Sequence, residues 1–586
     1  MLYSHYMEDT LYNIRHSLAH LLAIAVLEHD KDAKLSVGPV TDNGFYYDVD
    51  FSEGKAPKPE DLKAFEKTMR KQINKKLPFT RTEVSPEEAR KYFAGNPYKL
   101  AIIDDIEKSG EAVSFYSTGD FIDLCEGRHV ENTSEIDAKS FTLTHLAGAY
   151  FRGDEKNPML TRVYGTAFAT EAELRAYFAQ QEEAKKRDHK KLGVEMDLFT
   201  FSDLVGQGLP LFTPRGTLMR TLLDDYVWEL RKRYGYEKVE IPHITKKDLY
   251  EKSGHWDKFK DELFRITTRE GHEFAMKPMN CPHHTQIYAR KLMSYRELPQ
   301  RYANSTMCYR DEQTGELAGL SRVRAFTQDD AHVFCRFDQV KEEFLKVWDI
   351  IHTFYGAFGF EMKVRISKYN PAEPDKYLGG KDRWEIAEKI LEEIAVEKKA
   401  DAFEGIGEAA FYGPKLDFMV KDAIGRSWQV ATIQLDMNMP ERFDLVCINE
   451  KGEKERIVMI HAAIMGSIER FMSVLIEHYA GVFPLWLAPV QVIILPIGEN
   501  QQAYAKKVAD ALTAKNIRVE YNTDNESLGK RVRNAKVAKI PYLIIIGDKE
   551  VAGENITLEH RSEGSLGTKT LEECITLFET IIQDKA

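Results

Sequence analysis

Residues 301–335, RYANSTMCYRDEQTGELAGLSRVRAFTQDDAHVFC, constrain this chain more than any other segment. Two strand-like runs flank a polar loop, which predicts an antiparallel hairpin. In the return run Arg322, Arg324, Phe326, Gln328, Asp330 and His332 recur at period two, so one strand face is predicted to carry all six. Two guanidiniums, an aromatic ring, an amide, a carboxylate and an imidazole make a poor core, because buried charge is costly without partners. They make a good floor for a site that handles phosphate and a polar small molecule. A solvated outer strand would show the same parity, so the pattern needs support from elsewhere.

The bulk numbers narrow the class. A length of 586 residues suggests about three or four domains. With 43% hydrophobic and 30% charged residues the chain is an ordinary globular protein, neither disordered nor fibrous. No apolar run is long enough to span a bilayer, and MLYSHYMEDTLYN lacks the basic and apolar regions of an export signal, which predicts a cytoplasmic protein with no membrane partner. Six cysteines in no framework spacing fit a reducing compartment. A net charge of −12 disfavours non-specific nucleic-acid binding by the whole surface, but LGKRVRNAKVAK at 528–539 carries five cations and no acid.

Composition along the chain separates four stretches. Residues 1–180 mix helical text (LYNIRHSLAHLLAIAVLEHD) with strand and turn text (VGPVTDNGFYYDVDF), an α+β unit. A polar helix over 171–193 makes a connector, with the linker proper at 181–194. Residues 195–488 alternate long helices with strands containing YEKVEIPHI, GHEFAMKP, AFTQDDAHVF, GPKLDFMV and RSWQVATIQLDM. Their short connecting turns predict a largely antiparallel sheet. Residues 489–586 read strand, helix, strand, helix, strand, a small βαβ domain with a parallel sheet. The fold class is therefore multidomain α+β.

Common nucleotide signatures are missing: there is no G-x-x-x-x-G-K-[ST] loop, and GIGEAA at 405–410 lacks the third glycine of a dinucleotide turn. An ATP site here must use arginines. Arg310 ends one strand and Arg470 lies on a helical run, and both offer bidentate phosphate geometry. Phe326 with a guanidinium could sandwich a purine ring. Two further groups stand out. Cys281, His332 and His461 are metal-capable but too far apart for a recognisable zinc motif. HSLAH places His16 and His20 four apart, and CEGRH places Cys125 and His129 four apart, a set that by itself predicts a tetrahedral zinc site.

The order of a strand ending in Arg310, a polar loop, FTQDDAHVF, YGPKLDF, WQVATIQLDM and GSIERF resembles class II aminoacyl-tRNA synthetases. KPMNCP at 277–282 and VMIHAAIMGSIERF at 458–471 are similar to the threonyl-tRNA synthetase family within that class. The resemblance covers nearly the whole chain. EIPHI matches the first class II motif with Pro242 as its marker, Arg310 belongs to the second and Arg470 to the third. It implies ligation of threonine to its tRNA through threonyl-adenylate, with Mg²⁺ accompanying ATP, one Zn²⁺ per subunit on Cys281, His332 and His461, and a homodimer paired through the first motif.

By resemblance, Arg310 meets the α-phosphate and Arg470 the triphosphate and adenine side. Arg322, Phe326, Gln429, Thr432 and Ser467 complete the ATP contacts, Lys415 and Gln328 join the catalytic set, and Met279, Asp330, Tyr412 and Gln434 meet threonine. Strand parity sets Gln434 with Thr432 but opposite Gln429, so both can face the site only across a bulge. Zinc makes the threonine hydroxyl a required ligand, which excludes the near-isostere valine but not serine. That weakness accounts for residues 1–180, which resemble a domain that hydrolyses mischarged seryl-tRNA with no obligatory metal. His16, His20, Cys125, His129, Lys99, Asp123 and Tyr47 occupy its positions, with water activated by His or Cys. Residues 489–586 resemble an anticodon-binding domain, whose readers are Asn525, Glu550 and the basic segment.

Four departures from the family pattern are visible. A small ubiquitin-like domain has no counterpart before HSLAH. Arg128 stands where Pro is usual, His283 where Gly is usual (an alternative metal contact), and Ala462 and Glu559 where Arg is common, with Arg561 as the substitute reader. Two rival readings remain at this stage: an adenylating class II enzyme with another substrate, and an RNA-binding regulator that keeps the fold without catalysis.

Overall fold

A computed structural model describes residues 2–585, which fall into two compact units divided between Glu182 and Glu183. In the first unit the helix Leu2–His29 buries Leu18, Leu21, Leu22 and Val26 completely. Apolar on several sides, it forms the centre of that unit rather than a surface helix. A five-stranded sheet supports it, with Gly44–Asp50 and Met159–Ala167 at its middle, and a separate three-stranded sheet carries Phe121–Leu124. The helix Pro97–Ser109 begins where it does because Asn96 accepts from the N–H groups of Tyr98 and Lys99 and Pro97 follows the cap. That cap fixes Lys99 in the first turn.

The second unit is built on an eight-stranded sheet. Its strands run, in spatial order, Glu237–Lys238, Gln300–Tyr309, Ala325–Cys335, Val458–Ser467, Ser427–Asp436, Lys415–Lys421, Met362–Lys368 and Ala402–Ile406. All inner pairs are antiparallel and only the two outermost are parallel. The largely antiparallel sheet expected from short turns is what forms. Val333, Phe344, Ile351, Leu416, Ile433, Ile460 and Leu475 belong to one continuous core between this sheet and its helices.

Two irregularities shape the sheet's other face. Gln429 pairs with Met419 and Ala431 with Phe418, so Val430 is an extra residue in its strand. This bulge brings Gln429 to the face of Thr432 and Gln434, as parity required. Between Asp329 and Ala331 the register against the strand Val458–Ser467 also shifts. There the Asp329 carboxylate accepts from the N–H groups of Ile464 (2.8 Å) and Met465 (2.9 Å), replacing ladder acceptors.

Four expectations are corrected. The strand after the 310–324 loop begins at Ala325, so Arg322 and Arg324 lie outside the period-two face. Arg322 pairs with Glu312 and Glu316, and Arg324 donates to the carbonyls of Glu312 and Gln207. EIPHI forms no strand of its own: Glu237–Lys238 pairs before it, and only its last residue enters the strand Ile244–Lys246. The polar connector is two helices, Glu171–Arg187 and His189–Glu195, interrupted at Asp188, whose carboxylate accepts from the Lys190 N–H. The C-terminal sheet is mixed. Val519–Tyr521, Val492–Pro496 and Tyr542–Ile546 are parallel, and Ile556–His560 and Gly564–Lys569 add an antiparallel hairpin.

Candidate functional site

The strand Ala325–Cys335 presents Phe326, Gln328, Asp330 and His332 on one face. His332 pairs across the ladder with His461, so two distant imidazoles meet. His332 Nε2 lies 3.0 Å from His461 Nδ1. Cys281 opens the helix Cys281–Ala289, and its sulfur with one nitrogen from each of the two histidines forms a group whose ligand atoms all lie within 4.8 Å of one another. His461 Nε2 donates to Asp436 (2.9 Å), which leaves Nδ1 as its lone-pair nitrogen. His332 Nδ1 lies 2.8 Å from His284 Nδ1, so Nε2 again faces the centre. With these hydrogen bonds one proton at most lies between the rings, and its loss frees both nitrogens as ligands. Burial holds the Cys281 thiol well above its usual pKa, with Asp330 and Asp436 adding to the shift, and burial holds His332 well below its own. A thiol and two imidazoles in this arrangement fit a divalent cation such as zinc with an open fourth position.

The groups around that position suit an amino acid. Asp330 accepts from Asn280 Nδ2 (3.1 Å), and its carboxyl is pushed up to about 6 chiefly by burial. Tyr412 stacks on His461 with centroids 4.6 Å apart, and its hydroxyl donates to Gln434 (2.5 Å). Met279 packs beside the same cluster. His283, the substitute for Gly, does not join the metal-capable group: it turns toward Tyr250, and His284 makes the contact to His332.

Next to this lies a cationic stretch. The Arg310 guanidinium sits over the rings of Phe326 (5.2 Å) and Phe259 (5.5 Å). Its buried Nε has no hydrogen-bond partner, and no carboxylate pairs with it among the described residues. Arg470 stands in the first turn of the helix Ile468–Tyr479, whose cap is the Ser467 hydroxyl accepting from the Arg470 N–H (3.2 Å). Desolvation, and secondarily Arg322, lowers the Arg470 pKa, so an anion arriving there relieves both. The helix N-terminus adds its own attraction for negative charge. Lys415 pairs with Asp417 (2.8 Å), and the fully buried Asp417 also takes Arg365, Ser367 and Gln429 Nε2.

The first unit holds a separate cluster. His16, His20, Cys125 and His129 offer ligand atoms within 4.8 Å. Cys125 Sγ lies 3.3 Å from both His16 Nε2 and His129 Nε2. His16 Nδ1 donates to the Arg128 carbonyl (3.2 Å), and a Cβ at Gly127 would lie 2.2 Å from its ring. Burial pushes the Cys125 thiol up to about 12 and lowers His16, His20 and His129. Of the two candidate bases, the neutral imidazoles are therefore available and the thiolate is not. A cleft of about 700 Å³ opens on His16 and Cys125. Lys99, Asp123 and Tyr47 are brought together behind it, Lys99 Nζ meeting Asp123 at 2.5 Å and the Tyr47 hydroxyl at 3.2 Å. The Arg128 side chain is exposed and faces Asp9 (3.5 Å), and both residues line the cleft.

In the C-terminal domain Asn525 is exposed in the loop before the helix Leu528–Val537. Glu550 closes its own capping box, accepting from the Gly547 N–H (2.8 Å) and the Thr557 hydroxyl (2.7 Å). Arg561 is a correction: it donates to the carbonyls of Lys539 (2.6 Å) and Phe483 (2.7 Å). It staples the domain and is not free to read a base. Glu559 pairs with Lys536 (2.6 Å), and Arg531 is buried on the carbonyls of Asn522 and Pro496. Lys530 pairs with Glu526 (2.7 Å), so the basic segment offers Arg533 and Lys539 as its cations without a carboxylate partner among the described residues.

Sequence reasoning missed Asp417, Asp436, Asn280 and His284. For the two aspartates the signal was parity: Asp436 shares the face of Gln434 in the strand Ser427–Asp436, and Asp417 that of Lys415.

Family models match three parts of the chain: the tRNA synthetase class II core domain (G, H, P, S and T) over 264–479, an anticodon binding domain over 491–581, and the threonyl and alanyl tRNA synthetase second additional domain over 113–164. A threonine--tRNA ligase of Thermosynechococcus vestitus is 47% identical over 577 residues, covering 97% of this chain and 94% of that protein. One from Gloeobacter violaceus is 46% identical over 97% and 92%. Among solved structures, the RNA binding domain of threonyl-tRNA synthetase from Cryptosporidium parvum Iowa II matches with a TM-score of 0.64 at 35% identity, over 67% of this chain and 98% of that one.

Proposed function

This chain belongs to the threonine--tRNA ligase family, and on that premise we propose how its residues divide the work. It is an aminoacyl-tRNA synthetase that ligates threonine to its tRNA at the expense of ATP and edits seryl-tRNA. The observation that carries the residue assignment is the convergence of Cys281, His332 and His461 beside two arginines that have no carboxylate partner among the described residues.

MgATP enters as substrate with its α-phosphate on Arg310 and its β,γ-phosphates toward Arg470, while Phe326 and the Arg470 guanidinium hold adenine. Gln429, Thr432, Ser467 and Arg322 fill the remaining contacts. Asp330, Tyr412, Gln434 and Met279 orient threonine. Bound Zn²⁺, one per subunit on Cys281, His332 and His461, would coordinate the amino and hydroxyl groups of threonine and make that hydroxyl a requirement. The threonine carboxylate attacks the α-phosphorus in line, pyrophosphate leaves, and Arg310 and Lys415 balance the charge that develops. The terminal 3′-hydroxyl of tRNA then displaces AMP from the adenylate. Gln328, with Cys308 Sγ 3.5 Å from its Oε1, borders that reacting centre.

In the first unit His16, His20 and His129 supply a neutral base to a water at the seryl ester, Cys125 stays a thiol, and Lys99, Asp123 and Tyr47 hold the wall in place. Asn525 and Glu550 face the anticodon. The protein works as a homodimer paired through the first class II motif, and in the cytoplasm. Six unpaired cysteines support that location, and no helix among the described residues is long and apolar enough to cross a membrane.

Amino-acid-dependent ATP–pyrophosphate exchange tests the assignment. Threonine should be the strongly activated amino acid, and Arg310→Ala should lower the efficiency of exchange by about 10²–10³-fold. Strong activation of another amino acid with threonine inert would overturn it.

A further inference from the structure

His189 opens the helix His189–Glu195 just past the connector break, and its side chain is almost fully buried. Its two ring nitrogens serve two different elements. Nε2 accepts from the backbone N–H of Leu320 (3.1 Å), in the loop between Arg310 and Arg322. That bond sets the tautomer, so Nδ1–H donates to Glu477 Oε1 (2.6 Å). The His189 backbone N–H donates to the same oxygen (3.2 Å), and Arg426 takes the other one. Glu477 lies two turns beyond Arg470 on the helix Ile468–Tyr479. Arg187 adds a clamp on the same helix end, donating to the carbonyls of Glu477 and His478. The loop is pressed onto the ring: Gly319 has φ +53°, and a Cβ there would lie 2.3 Å from His189 Nε2. Asp188, His189 and Glu477 have a metal-like composition, but both ring nitrogens are already committed, so this is a lock and not a metal site.

We propose that His189 is a positioning residue for adenylation: its imidazole ties the Arg310–Arg322 loop to the helix that carries Arg470, and so fixes the spacing of the arginines that take ATP. This rests on the assignment of those arginines to ATP. No other side chain offers one ring donor and one ring acceptor on opposite edges at this spacing.

The test is threonine-dependent pyrophosphate exchange by the full chain carrying His189→Ala, His189→Gln or, as reference, Arg310→Ala, with melting followed in parallel. His189→Ala should raise the KM for ATP about tenfold, the scale of one buried hydrogen bond, and leave the KM for threonine and seryl-tRNA deacylation unchanged. His189→Gln, which keeps a donor and an acceptor, should recover most of the loss. Equal rises in both KM values, or an unmoved ATP KM while Arg310→Ala raises it, would overturn the proposal. An unmoved ATP KM in Arg310→Ala itself would overturn the ATP assignment beneath it. Should His189→Ala fail to fold, Gly319→Ala strains the same contact from the loop side and is read in the same way.

Discussion

His332 Nε2 lies 3.0 Å from His461 Nδ1, with the Cys281 sulfur completing a three-donor group. Only a proton or a metal ion can sit between two such nitrogens. Because the substrate hydroxyl would fill the open position, discrimination should split by chemistry and not by size. Valine should be rejected by about 10⁴-fold or more in kcat/KM for pyrophosphate exchange, and serine by only about 10²-fold. Similar rejection of both would remove the hydroxyl requirement.

Among the described residues Arg310 is held by two phenyl rings and by no carboxylate. Its loss should therefore cost catalysis more than folding. Arg310→Ala should lower kcat/KM for adenylation by about 10²–10³-fold, the usual scale for one transition-state donor, with little change in melting temperature. Arg310→Lys should recover part of this, because a point charge replaces a bidentate fork. Full recovery by lysine would argue against bidentate contact.

The histidine cluster of the first unit carries a pH signature. Burial, with repulsion from His16 and Lys99 added, lowers the His20 pKa well below its ordinary 6.5. Unfolding lets that ring take up a proton below pH 6.5 that the folded state refuses. Stability is therefore full above about 6.5 and falls as pH falls, by up to about 1.4 kcal/mol per pH unit for His20 alone. Urea unfolding of the first unit at pH 7.5 and pH 5.5 checks this, and greater stability at the acid end would contradict it.

Separation of the two activities follows from separate clusters. His16→Ala with His20→Ala should leave threonine charging within about twofold and lower seryl-tRNA deacylation by about 10²–10⁴-fold, the span of general-base catalysis. Deacylation assays on preformed seryl-tRNA read this directly. Arg128→Pro should leave deacylation unchanged, because the exposed guanidinium turns to Asp9 while the backbone carbonyl holds His16.

Much of the main site was legible as parity. Phe326, Gln328, Asp330 and His332 share a face because the strand Ala325–Cys335 runs unbroken through them. Arg322 and Arg324 share the spacing but precede the strand, and periodicity cannot show where a strand begins. The tension between Gln429 and Gln434 correctly demanded a bulge, and Val430 supplies it. What stayed hidden depends on long-range register. The meeting of His332 with His461 needs a pairing across 129 residues, and the contacts of His461 with Asp436 and of His332 with His284 span 25 and 48. Arg561 looked free because its partners are backbone carbonyls, which no side-chain pattern records.

X-ray absorption at the zinc edge, on purified protein with and without threonine, tests the central claim most directly. The account predicts one sulfur at about 2.3 Å and nitrogen or oxygen ligands near 2.0–2.1 Å, a light-atom shell that changes when threonine is added, and loss of the sulfur shell in Cys281→Ala. Absence of zinc from fully active protein, or a shell without sulfur that threonine leaves unchanged, would contradict it.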